Sequence, residues 1–275
     1  MSIIRNTGRG TSARWPLTAR SVLLSVLLGS DPPRLPVLLL VRTTGLFGIA
    51  EGTTRTALSR MAAAGEVQAL GGAYELSAPR LLARQARQSA SRTGATLPWS
   101  GQWCQAVVVA KERRAPSDRA ALRGCLEAAR LAELREGVWI RPDNLGPIEV
   151  GGDRDGDGDG DGDGSEQLRW FTAAPDADPF RLAAQLWDLP TWNTRAGRLI
   201  DEMSRLTAPL EAGDRSALAP GFVLSAAVLR QFQSDPLLPS DLLPQGWHGS
   251  ALRTHYDRYD RAYRSVLQDW FAQQR

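Results

Sequence analysis

The sequence predicts an α+β chain in three parts, and three patterns carry that expectation. Between Thr18 and Leu76 the apolar spacing reads helix, helix, turn, helix, hairpin. From Trp99 to Trp187 a β-α-β…β-α order follows. From Asn193 onward the pattern is helical with proline-bearing loops, and no strand assignment is attractive. At 275 residues the chain has room for two domains or three small ones.

The elements follow in order. Residues 1–16 read as a polar arm. Thr18 is a good N-cap, Val22, Leu23, Val26 and Leu27 recur at helical spacing, and Gly29 stops the run. After a turn at Ser30–Pro33, a second helix covers residues 35–42. Gly45 and Gly48 bracket a tight turn around Phe47, and a third helix runs over residues 52–64 to Gly65, an expected C′ residue. Glu66–Leu70 and Ala73–Leu76, joined by Gly71-Gly72, carry a hairpin signal. This is the order of a winged helix-turn-helix, and residues 1–88 are assigned to it.

A connecting helix and a polar linker occupy residues 80–98. The middle domain, 99–178, takes strands at 102–110, 134–141 and 168–173 and a helix at 117–129, an order that predicts a small ferredoxin-like sandwich. A helical C-terminal domain covers 179–275, beginning with an amphipathic helix at 180–187. Residues 151–166 stand apart, with five successive Asp-Gly pairs. Asp155, Asp157, Asp159, Gly160 and Glu166 satisfy the D-x-D-x-D-G-x5-E spacing of a calcium loop. The strand-like flanks and the repeat itself favour instead a disordered, self-repelling insertion between two strands.

Composition narrows the function classes. The first 90 residues hold eleven Arg against four acids, a local charge of +7, although the whole chain carries only +3. A basic third on an otherwise mildly acidic chain points to a polyanion partner for that third. The two Cys (Cys104, Cys125) and two His cannot build a zinc site at usual spacing, so no metal or cofactor is expected, and a reducing, cytoplasmic setting is. The apolar runs Val22–Leu28 and Val37–Val41 fall short of the roughly 20 residues that cross a bilayer. Arginines ahead of an apolar stretch imitate a secretory leader, but no small-x-small cleavage site follows Leu28. Nucleophile elbows, Walker loops and H-E-x-x-H are absent from the sequence, and nothing in it asks for an enzyme.

The third helix is the most informative. At 100° per residue, Thr54, Leu58 and Met61 share one stripe and Thr53, Thr56, Ser59 and Arg60 the opposite one, with Arg55 on the shoulder. Small hydroxyls and an Arg on an acid-free helix face suit a major groove of double-stranded DNA. Thr53, Thr56, Ser59 and Arg60 are therefore the expected base contacts, and Arg55, Arg20 and Arg42 the phosphate contacts. A second group, Arg181, Trp187, Trp192, Arg195 and Arg198, mixes cations with indoles. It suits an anionic, partly apolar effector, and equally the seam where the helical domain docks. Two rival classes are a metal-dependent nuclease of ferredoxin-like fold and an interaction module without DNA. The first needs an acid at the end of the first middle strand, where residues 102–110 hold none.

Several segments resemble the PaaX family of bacterial transcriptional regulators. They are Thr18-Ala-Arg-Ser-Val-Leu-Leu, Thr54-Arg-Thr-Ala-Leu-Ser-Arg-Met, Pro98-Trp-Ser-Gly-Gln-Trp103 and Val138-Trp-Ile-Arg-Pro142, followed by Leu186-Trp-Asp-Leu and Asp235–Trp247. The resemblance implies a homodimeric, usually repressing regulator of operator DNA, with a winged helix, a ferredoxin-like middle and a helical C-terminal domain. It further implies control of a catabolic operon such as that for phenylacetate, with release from DNA by phenylacetyl-CoA or another acyl-CoA. The chain departs from the family pattern in the Asp-Gly tract and at His248, where Pro is expected after Trp247.

Overall fold

The computed structural model describes residues 17–109, 116–146 and 167–273. The chain divides into two compact units, Met1–Ser77 and Ala78–Arg275. The expected N-terminal arm and the Asp-Gly tract, with its calcium-loop and disordered-insertion readings, lie outside the described residues.

The first unit opens with α1 (Ala19–Leu28). Thr18 caps it: the Ser21 amide donates to Thr18 Oγ1 at 3.1 Å, while the Thr18 amide donates to Ser21 Oγ at 2.9 Å. Val22, Leu23 and Leu27 are fully buried. The second helix expected at 35–42 is corrected to α2 (Val37–Gly45), because Arg34–Pro36 forms a strand, β1. A three-residue strand ending in Pro carries no period-2 signal; it survives at a sheet edge, where a missing N–H is harmless. Next comes α3 (Glu51–Ala63), whose Thr54, Leu58 and Met61 are buried at 0%, 1% and 2% exposure, the stripe that the 100° spacing places inward. The hairpin of β2 (Val67–Leu70) and β3 (Ala73–Leu76) turns on Gly71 and Gly72 at φ +53° and +79°, the pair of positive values that a type I′ turn demands. The sheet is antiparallel, in the order β1-β3-β2.

The second unit begins with α4 (Pro79–Thr93) and continues to a four-stranded antiparallel sheet. Its strands are β4 (Trp103–Val108), β5 (Ala132–Arg135), β6 (Val138–Pro142) and β7 (Leu168–Ala173), in the order β5-β6-β4-β7. The single strand expected at 134–141 is corrected to the β5–β6 hairpin. Gly137, at φ +77°, makes the turn inside what reads as one strand. Helix α5 (Pro116–Ala128) covers one face, where Leu126 packs with Ala106, Leu131, Trp139 and Leu168. On the other face Trp103, Val138 and Ile140 pack on Leu182 and Ala183 of α6 (Pro179–Leu186) and on Leu189, Leu238 and Leu242.

Beyond α6 the unit is helical, as expected: α7 (Leu189–Glu211), α8 (Leu218–Gln233) and α9 (Gly249–Ala272). Tyr256, Tyr259 and Tyr263 of α9 are buried, so this helix uses its aromatic stripe for packing. Arg92 ties α4 to α9 through Asp260 at 3.0 Å. Among the described residues no helix is long and apolar enough to cross a membrane, and no group of three or more His, Cys, Asp or Glu side chains is placed to hold a metal ion.

Candidate functional site

The outward face of α3 is the centre of the site. Its inward stripe is fixed by packing and by a buried hydroxyl pair, Thr44 Oγ1 to Thr54 Oγ1 at 2.7 Å, which joins α2 to α3. With that stripe locked, the opposite one is presented to solvent: Thr53, Arg55, Thr56, Ser59 and Arg60 are all exposed. A groove of about 740 Å³ runs between the start of α1 and α3. Arg20, Thr53, Thr56 and Arg60 line it, together with Thr18, Gly52, Ala57 and Glu66. Four of the seven residues expected to touch DNA are thus brought together. Arg55 and Ser59 lie on the exposed side of the same helix outside the groove, and Arg42 is half-buried on α2.

The arginines are not equivalent. Arg20 grips Glu66 with both Nε, at 3.0 Å from Oε2, and Nη2, on Oε1. Glu66 is 4% exposed, so this fork neutralises a buried carboxylate, and the bond raises the Arg20 pKa further above its ordinary value. Arg55 Nε donates to Glu51 Oε1 at 2.8 Å in an exposed i,i+4 pair that water and salt weaken readily. Arg60 has no ion-pair partner among the described residues. Thr56 donates its hydroxyl proton back to Gly52 O at 2.8 Å, which leaves its oxygen free to act as an acceptor.

Two contributors escape sequence reading. Glu51 sits one position before the acid-free stretch, and its i,i+4 spacing to Arg55 was the available signal. Arg34 belongs to β1, a strand with no sequence signature, yet it brings a cation to the hairpin. Its Nη2 donates to Leu70 O at 3.3 Å, next to the Gly71-Gly72 turn, which itself contains no basic residue.

The aromatic-basic group in the second unit divides. Trp192 stacks on Trp247 with centroids 4.3 Å apart, its Nε1 donates to Gln231 O at 3.2 Å, and Gln231 Nε2 returns a bond to Trp192 O at 3.0 Å. Trp187 stacks on Trp103 of β4 at 6.4 Å. Trp187 thus packs where sheet and helices meet, and Trp192 packs within the helical part. Arg181, Arg195 and Arg198 are exposed, Arg181 lying 3.8 Å from Asp178. Burial and the nearby Arg195 charge both pull the Arg230 pKa below its ordinary value.

Comparison with known proteins follows the same division of the chain. Residues 18–79 match the family model described as PaaX-like protein, and residues 187–273 match the one described as PaaX-like protein C-terminal domain. The first match begins at the α1 cap and ends at the start of α4; the second spans α7 to α9. A solved structure, the uncharacterized protein Rv0674 from Mycobacterium tuberculosis, is 40% identical with a TM-score of 0.67, over 92% of this chain and 98% of that one. No curated protein matches the chain.

Proposed function

The chain belongs to the PaaX-like protein family, and from that premise we propose that it is a DNA-binding transcriptional regulator, a repressor of a phenylacetate-type catabolic operon released by an acyl-CoA effector. The observation that carries the DNA reading is the exposed face of α3. Hydroxyls and arginines project from a helix whose opposite stripe is locked in the core, beside a groove lined by Arg20 and Arg60. We read the first unit as a winged helix-turn-helix, with α3 as recognition helix and the β2–β3 hairpin, with Arg34 beside it, as the wing. The antiparallel β5-β6-β4-β7 order, with α5 joining β4 to β5, supports the ferredoxin-like reading of the middle region.

In this reading two protomers set their α3 helices into successive major grooves of an imperfect palindrome. Thr53, Thr56, Ser59 and Arg60 face base edges. Arg55 leaves its weak pair with Glu51 to meet a phosphate, and Arg42 meets one from α2. Arg20, held by Glu66, shapes the groove wall and presents its remaining donor edge. The effector shifts the dimer toward a geometry with the wrong helix spacing.

The test is a mobility-shift titration of the full chain on DNA from upstream of its own gene, with competitor DNA, with and without phenylacetyl-CoA. Specific binding released by the thioester is the expected result. Arg60→Ala should weaken specific binding by about 1–3 kcal/mol, on the order of ten- to a hundredfold. No specific complex at any salt concentration overturns the regulator reading.

A further inference from the structure

Away from the α3 face, a pocket of about 430 Å³ opens on the sheet of the second unit, lined by Leu97, Cys104, Arg141, Asp143, Leu145, Gly146 and Trp170. Register explains its composition. Cys104 stands opposite Arg141 on β6, and Ala106 opposite both Trp139 and Trp170, so these side chains share the face that α5 covers further along. Beyond the reach of that helix the face is left to the segment before β4 and the loop after β6. Leu97 N donates to Asn144 O at 2.7 Å and joins the two.

Arg141 sits in this pocket at 3% exposure, and its guanidinium is only partly satisfied. Nη2 donates to Gly146 O at 3.0 Å, whereas Nε and Nη1 are buried without a hydrogen-bond partner among the described residues. Asp143, exposed at the pocket, acts on the guanidinium through space. Burial is the main influence on both groups, pulling the Arg141 pKa down and pushing the Cys104 thiol up. A buried cation with idle donors is a costly arrangement unless an anion completes it.

We propose that this pocket binds a small organic carboxylate with an apolar body, its carboxylate on the Arg141 guanidinium and its body against Leu97, Leu145 and the Trp170 indole. The pocket volume is that of a small-molecule site, and its lining joins one charged anchor to apolar walls. The proposal deepens the regulator reading, on which it rests only for the consequence of binding, by giving the protein a second small-molecule input.

The experiment is titration calorimetry of the full chain, without DNA, using benzoate and hexanoate against benzamide, hexanamide and inorganic phosphate. Saturable binding of the acids that is absent with the amides and with phosphate supports the site. Arg141→Met should weaken it about tenfold or more, the loss expected for charge-assisted bonds. Equal binding of acid and amide, undiminished binding by Arg141→Met, or phosphate binding as tight as the acids overturns it. Should Arg141→Met fail to fold, Trp170→Ala, at an exposed position, decides: weaker acid binding supports the site and unchanged binding overturns it. Because DNA is absent, a chain that shifts operator DNA but ignores the acids loses the pocket alone, and the converse loses the regulator reading alone.

Discussion

Two threonine hydroxyls carry more of the DNA-facing unit than their size implies. Thr44 and Thr54 bond each other at 2.7 Å, one hydroxyl donating to the other, and the accepting hydroxyl keeps its own proton for its helix backbone, Thr44 for Val41 O at 2.8 Å or Thr54 for Ala50 O at 3.3 Å. Thr54→Val keeps the shape and removes the link between α2 and α3. It should cost about 1 kcal/mol, read as a lower urea midpoint with unchanged slope. Arg20→Ala is harsher, since it leaves Glu66 buried at 4% exposure without its fork. A loss of about 2 kcal/mol is expected, and Glu66→Gln in the same background should recover part of it. At this scale the sequence was half legible. Helical spacing places Thr54 inward and Arg60 outward, because period alone decides which side of a helix faces the core. It cannot find Glu66 for Arg20, or Arg141 in its pocket, because those pairings arise when segments 46 and 37 positions apart in the chain meet.

At the scale of elements, α9 makes the sharpest prediction. Tyr256, Tyr259 and Tyr263 are buried along one stripe, and Tyr259 donates to Gly221 O of α8 at 2.5 Å. Desolvation pushes the Tyr259 phenol up to about 12 and raises the other two above their ordinary value as well. A phenol whose folded pKa exceeds its unfolded value near 10 holds its proton longer in the folded state. Its stabilising contribution is therefore complete below pH 10 and is lost as pH rises toward the folded pKa. Urea midpoints measured from pH 8 upward should stay flat on this account and then fall above about pH 10. Tyrosinate absorbance should appear together with unfolding. Gly221→Ala tests the same packing, because its Cβ would lie 2.9 Å from Tyr259 Oη and from the Tyr263 ring. Overpacking of this kind should cost about 1–3 kcal/mol. The long helices were readable because amphipathic periodicity accumulates over many turns. β1 and the β5–β6 hairpin were not, since one is three residues ending in Pro and the other hides its turn in a single glycine.

For the whole molecule the deciding property is uneven charge, and it leads to a prediction about salt. Eleven arginines in the first 90 residues exceed the acids there by seven, while the rest of the chain is mildly acidic. Glu66 already takes up Arg20 in a part-buried fork, and Glu51 only competes for Arg55 in an exposed pair, so the charge available to a phosphate backbone is smaller than composition implies. A dimer presenting Arg42, Arg55 and Arg60 from each protomer would neutralise about six phosphates, and log K should fall against log salt with a slope near −5. Freeing a phosphate-seeking Arg55 from its partner by Glu51→Gln should raise affinity at low salt on specific and random DNA alike. Arg60→Ala should instead lower specific affinity more than non-specific affinity, because base contacts carry the discrimination. Spacing gives the companion measurement. Two α3 helices related by a twofold axis need half-sites centred about 10–10.5 base pairs apart, or a multiple. Inserting half a turn of DNA between them should abolish the specific complex while leaving the salt-sensitive, non-specific component in place. An operator indifferent to that insertion would mean that one copy of the chain reads the site alone, and the arginines of a single α3 would then have to account for the whole salt slope.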